Sequence, residues 1–149
     1  MEFKVIVDKE CKESVVVTVH KKTSIVDQIQ KLVENATSEA FITCYANEEV
    51  INVNNKDITC FFTKDAKVYA YVNDQILYVR QRLYQLEQML DDSFIKLNQG
   101  CIANISQIKS FSTSLGASIK VNFKNGYFDY VSRRELKNVK RRLGLWKHQ

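Results

Sequence analysis

The 149-residue chain contains no proline and only four glycines, so composition marks no flexible or proline-stiffened linker. Its four cysteines, Cys11, Cys44, Cys60 and Cys101, include no CxxC pair, and histidine occurs only at His20 and His148. A zinc site needs Cys and His ligands clustered at short spacing, and this distribution argues against one. The cysteines lie among apolar or strand-like neighbours and are expected to be buried, reduced thiols. No apolar run approaches the roughly 20 residues needed to span a bilayer. The opening MEFKVIVDKE places acids beside its apolar residues and lacks the layout of a signal peptide, so the expected location is cytoplasmic. There is no nucleophile–base constellation and no glycine-rich phosphate loop. His20 closes a strand pattern and His148 lies in the tail, and both are expected to be solvated. The expectation is a non-enzymatic protein without a cofactor or metal.

What is present is a large apolar fraction and an uneven charge. Apolar residues make up 45% of the chain, enough to bury a core. The net charge is +5. Residues 133–149 contain seven basic side chains (Arg133, Arg134, Lys137, Lys140, Arg141, Arg142 and Lys147) against one acid, Glu135, so they carry +6 and the rest of the chain about −1. Charge gathered on one short element suits a polyanion, because lysine and arginine gain by releasing counterions from phosphates. The bland reading is an amphipathic helix with a solvated basic face.

Residues 3–7 alternate and residues 14–20 are β-branched, which reads as two paired strands. Ser24 then opens a helix with Asp27 in a capping-box-like position and Ile25, Ile29, Leu32 and Val33 at helical spacing. This ββα unit, residues 1–38, is too small to hold much core alone. It is expected to pack on something or to dimerise through Ile29 and Leu32. From residue 40 the pattern turns to short strands at 41–46, 49–53, 58–62, 67–72 and 75–79, with turn chemistry at Asn54, Asn55, Asp65, Asn73 and Asp74. Val79, Leu83, Leu86 and Leu90 then recur at helical spacing. Strands resume at 94–97, 101–104, 107–112, 118–123 and 127–131, with Asn125-Gly126 as a hairpin signal. A last helix over 132–143 has Ser132 as N-cap and Glu135 at the capping-box position, turning Leu136, Val139 and Leu143 inward. The predicted class is mainly β with a few short helices (α+β), organised as 1–38 and 40–149.

Four segments in order, KDITCFFTKDAKVYAYV, RLYQLEQML, DSFIKLNQGCIANISQIKSF and IKVNFKNGYFDYVSRRELKNVKRRL, resemble the LytTR DNA-binding domain of bacterial transcription regulators. The likeness covers about residues 40–144, with Asn104, Ile108, Gly126, Ser132 and Arg133 at its best-marked positions. It implies an elongated set of small antiparallel sheets that meets duplex DNA through loops between strands, not through a recognition helix. Three groups are then expected to face DNA. They are Lys64, Asp65 and Lys67; the turn of Lys96, Leu97, Asn98, Gln99 and Gly100; and Ser132, Arg133 and Arg134 at the start of the last helix.

Asn98 and Gln99 carry amides suited to adenine, and Arg133 or Arg134 suits guanine. Lys64, Lys67, Lys96 and Lys137 suit phosphates. Ser132 is read as the helix cap. Lys140, Arg141 and Arg142 are read as general phosphate attraction or solubility. Two departures from the family pattern stand out. Asn98-Gln99 replaces a frequent His followed by Arg or Lys, and Gly100 replaces a common Ser, so affinity or base preference is expected to differ. Gly100 has a second reading as a supplier of positive φ.

A receiver domain does not fit into 38 residues, so the chain looks like the short LytTR regulators that lack one. Some of these are encoded beside an integral membrane protein that restrains them. The implied partners are double-stranded DNA at repeated half-sites, a second copy of the chain at least on DNA, and such a membrane protein. The competing reading is a module whose basic helix meets an acidic protein or a membrane surface.

Overall fold

The computed structural model describes residues 1–37, 40–113 and 118–145. Lys147 and His148 fall outside them. The chain divides into two units, Met1–Glu39 and Ala40–Gln149.

In the first unit helix α1 spans Ser24–Thr37. Ser24 is its first helical residue, and Asp27 in the first turn pairs with Lys22 at 3.4 Å on the exposed surface. Val26, Ile29 and Val33 are half-buried and line an apolar groove with Val15 and Val17. The expected strands at 3–7 and 14–20 are not formed, since residues 1–23 carry no ladder. Phe3, Val5, Val7 and Val16 remain exposed. A β-branched run favours extended backbone, but a strand exists only when its N–H and C=O groups find a partner ladder, and an isolated hairpin is marginal. Leu32, placed on the apolar face by its spacing, is also exposed.

The second unit runs β1 (Phe41–Ala46), β2 (Glu49–Asn54), β3 (Ile58–Lys64), β4 (Lys67–Val72), β5 (Gln75–Val79), α2 (Leu83–Met89), β6 (Phe94–Asn98), β7 (Cys101–Asn104), β8 (Ile108–Thr113), β9 (Ile119–Phe123), β10 (Phe128–Val131) and α3 (Arg133–Leu143). This is the mainly β architecture with short helices that the patterning predicts. Seven strands form one antiparallel sheet in the order β2-β1-β5-β4-β3-β7-β6, and three form another in the order β10-β9-β8. Tight turns set the register. Asn47 and Glu48 join β1 to β2, and Asp65 and Ala66 join β3 to β4, all with φ between 49° and 66°. Paired positive φ values give the turn twist that matches antiparallel strands. Gly126, at φ 93°, serves the β9–β10 hairpin.

Alternation along the strands divides the apolar residues between two cores. One holds Ile42, Val53, Phe61, Ala70, Leu77 and Val79 and is covered by α2, whose buried residue is Leu86. The other holds Phe62, Ile95, Leu97, Ile119, Val121 and Phe123 and takes Val139 from α3. Thr59 and Asn104 are the polar exceptions among the described buried residues, and hydrogen bonds account for Asn104. Its Nδ2 donates to the Ile58 carbonyl at 2.8 Å, and its Oδ1 accepts from the Ser106 backbone and hydroxyl. It thus locks the short 3₁₀ turn at Ile105–Gln107 to the start of β3.

Cys44, Cys60 and Cys101 are buried as expected, but Cys11 is exposed in the ladderless segment. Burial pushes the Cys44 thiol up to about 11. A hydrogen bond with Cys60, followed by burial, raises Cys101 well above the usual thiol range. The thiolate is the reactive form. Alkylation of the native protein near about pH 8 should therefore modify Cys11 rapidly, with the other three following only on unfolding. Peptide mass spectrometry reads the order, and fast labelling of Cys44 or Cys101 would contradict it.

Candidate nucleic-acid interface

Two of the expected groups are neighbours because β3 pairs with β7. Phe62 is opposite Cys101, and the next backbone N–H, that of Thr63, donates to the Gly100 carbonyl at 3.0 Å. This places the β3–β4 turn, carrying Lys64, Asp65 and Lys67, beside the β6–β7 turn, carrying Asn98, Gln99 and Gly100. Lys64 and Lys67 close the first turn as an exposed cross-strand pair. Like charges directly opposite one another destabilise a ladder. Ala66, at φ 64°, holds a left-handed conformation that costs a non-glycine residue about 1–2 kcal/mol. Both features weigh against stability and leave an exposed tip with two ammonium groups flanking the Asp65 carboxylate.

Gly100 has a different reason from positive φ, which it does not adopt. A Cβ built on it would lie 2.8 Å from Thr63 Oγ1. The glycine is there for close approach of β3.

The third group is tied in by Asn98 and Ser132. The Asn98 Nδ2 donates to Asp129 Oδ1 at 3.0 Å and to the Tyr130 carbonyl at 2.7 Å, while its Oδ1 accepts from the Gly100 N–H at 2.8 Å. The Ser132 N–H donates to the Leu97 carbonyl at 2.9 Å, and Ser132 Oγ accepts from Glu135 N–H at 3.3 Å, so the serine is the N-cap of α3. Arg133 and Arg134 therefore emerge next to the β6–β7 turn. Gly144, at φ 65°, ends the helix with its N–H on the Lys140 carbonyl.

These bonds revise three expectations. The Asn98 amide is occupied on both its oxygen and its nitrogen, so it holds the turn in place and does not present a free edge to adenine. Lys96 is largely covered, with 22% of its side chain exposed, and its Nζ lies 3.6 Å from Glu87 Oε2. Arg142 has an anchoring role that its place in the basic run does not suggest. Its guanidinium donates to the Phe94 carbonyl at 3.2 Å and the Asp92 carbonyl at 2.8 Å, fastening the end of α3 to the start of β6. No sequence signal pointed to the Arg142 anchor, because the two ends are far apart along the chain.

By contrast, Lys64, Lys67, Gln99, Arg133, Arg134 and Lys137 are exposed. Among the described residues, Arg133, Arg134 and Lys137 form no ion pair. Two arginines in the first turn oppose the positive end of the helix dipole, which Glu135 offsets only in part. Beside the turns lies a groove lined in part by Lys64, Arg82, Tyr84, Glu87, Lys96 and Gln99.

A family model described as the LytTr DNA-binding domain matches residues 48–144. The chain belongs to this family. The LytTr fold is seen again in a solved structure from Bacillus cereus described as a LytTr DNA-binding domain, with a TM-score of 0.68 at 22% identity over 72% of this chain and 99% of that one. Among relatives, a Staphylococcus aureus (strain MSSA476) protein named as an uncharacterized HTH-type transcriptional regulator is 26% identical over 92% of this chain and 93% of its own length. One of the same description from strain NCTC 8325 / PS 47 is 28% identical over 82% and 80%. The first likeness covers more of the chain than the LytTr match alone. Here α2 and α3 are separated by five strands, β6 to β10, so among the described residues of the second unit no two helices form a helix-turn-helix.

Gly100→Ala should cost about 1–3 kcal/mol by overpacking against Thr63, and a second change, Thr63→Ala, should recover most of it. A double-mutant cycle in urea unfolding measures the coupling. Simple additivity of the two losses would show that Thr63 is not what excludes a side chain at 100.

Proposed function

We propose that this LytTr-family chain is a transcription regulator that binds double-stranded DNA in a sequence-specific way, reading major grooves through its inter-strand turns and the start of α3. The observation that carries the reading is the gathering of exposed cations without an ion pair on one strand turn, Lys64 and Lys67, and one helix start, Arg133 and Arg134, with the exposed amide of Gln99 on the β6–β7 turn beside them. They sit where folding gains nothing from them: a like-charge cross-strand pair and two arginines against a helix dipole. An array of phosphates turns both costs into attraction.

The contacts sort into two kinds. Lys64, Lys67 and Lys137 meet phosphates and position the protein, while Gln99 and Arg133 or Arg134 reach base edges, amide to adenine and guanidinium to guanine. Asp65 at the turn tip suits the exocyclic amine of cytosine. Asn98, Gly100 and Ser132 hold these groups in place. The protein acts on DNA as a homodimer, with half-sites about one helical turn apart. Unit Met1–Glu39, whose apolar side chains Phe3, Val5, Val7 and Leu32 are exposed, supplies the dimer contact.

A module for acidic proteins or membranes needs no base-reading groups. Selection from a pool of random duplexes separates the two, since recovery of a repeated motif supports DNA reading and an unenriched pool sinks it. On the recovered site, Arg134→Ala should weaken binding by about 10- to 100-fold, corresponding to about 1–3 kcal/mol, with a thermal midpoint that stays level or rises slightly, because the arginine opposes the helix dipole. Unaltered affinity would remove Arg134 from the reading set.

A further inference from the structure

The groove beside the two turns, about 560 Å³ in volume, extends the interface to α2, which is not among the three groups expected to face DNA. The charged groups that line it are Lys64, Arg82 and Lys96 against Asp65 and Glu87. Lys96 is mostly covered here, and a covered ammonium requires an anion. Glu87 supplies one, but at 3.6 Å and from a side chain 51% exposed. A long, half-solvated pair of this kind contributes little and is readily exchanged.

Arg82 meets α2 through its main chain. Its N–H donates to Gln85 Oε1 at 2.8 Å, and its carbonyl accepts from the Gln85 and Leu86 N–H groups at 3.0 Å. Its exposed guanidinium has no ion pair or hydrogen bond among the described residues. Tyr84, also on the groove wall, is 63% exposed. Guanidinium, ammonium and phenol are the donors that proteins turn toward phosphate oxygens. Nothing in the packing of α2, which rests on Leu86, calls for Arg82 or Tyr84 at these positions.

We propose that this groove seats the sugar–phosphate backbone of the bound duplex. Arg82 and Tyr84 donate to phosphate oxygens, and the Glu87 carboxylate holds Lys96 at the place a phosphate takes over on binding. Glu87 thereby sets the affinity without touching a base. The proposal rests on the DNA-binding reading above and adds to it a contact surface from α2.

Fluorescence anisotropy on the full chain tests it, with a labelled duplex of the selected sequence and a scrambled duplex. Arg82→Ala should weaken both by a similar factor, roughly three- to tenfold, and lower the steepness of the log-affinity against log-salt line by about 0.9. Glu87→Gln should tighten both by roughly two- to fivefold. Circular dichroism checks that each variant is folded, which the main-chain role of Arg82 in α2 leads us to expect. Unchanged affinity and salt slope in both variants, alongside a loss in Arg134→Ala, would place the groove outside the interface and leave the DNA-binding reading standing. Equal binding of the two duplexes by the parent chain, with Arg134→Ala also silent, would overturn both.

Discussion

The carboxamide of Asn98 joins the parts of this molecule that matter for recognition. Its oxygen shapes the β6–β7 turn through the Gly100 N–H, and its nitrogen reaches across to Asp129 and Tyr130 on β10. One planar group thus fixes a turn of the seven-stranded sheet relative to a strand of the three-stranded sheet. The chain leaves β10 through Val131 and Ser132 straight into α3, so the same bonds set where Arg133 and Arg134 emerge. Such a partly buried amide is well used when both its ends are satisfied, because a lone unsatisfied end costs about 1–3 kcal/mol.

The cores make that linkage stiff. α2 closes one face with Leu86, and α3 closes the other core with Val139 and is pinned at its far end by Arg142. The site then stands on strand ends and a capped helix, so its backbone needs little ordering when a rigid polyanion arrives, and the cost falls on the exposed Lys and Arg side chains. Features that fold poorly concentrate at this end: Ala66 at positive φ, Lys64 opposite Lys67, and arginines in the first turn of α3. Such local conflicts are expected where function, and not stability, selects the residue.

Most elements of residues 40–145 were legible in the sequence. The strands there alternate, the turns carry Asn, Asp and Gly, and Ser132 with Glu135 announces a helix start, all of which are local signals. The first 23 residues failed because β-branched runs report a preference for extended backbone but not the presence of a ladder. The candidate site was legible as residue types on turns. The roles of those residues were less so. Asn98 read as a base-contacting amide because nothing local reveals Asp129 and Tyr130, which are 31 and 32 positions away. Gly100 read as a conformational glycine because Thr63 arrives only through the β3–β7 pairing. Cys11 differs from its buried counterparts locally, since Lys9, Glu10, Lys12 and Glu13 flank it, and that charge is the signal against burial.

The sequence alone determined the mainly β class of the larger unit, its hairpin turns, its capped basic helix and the resemblance to LytTr domains, since each depends on neighbours a few positions apart. Tertiary structure decided which cations stay unpaired, which amide is spent internally, and that Lys64, Lys96, Gln99 and Arg82 border one groove. Those outcomes depend on sheet order and register. Sheet order is fixed only when distant apolar faces are buried against each other, and hydrogen-bonding partners become known only after that burial has chosen them.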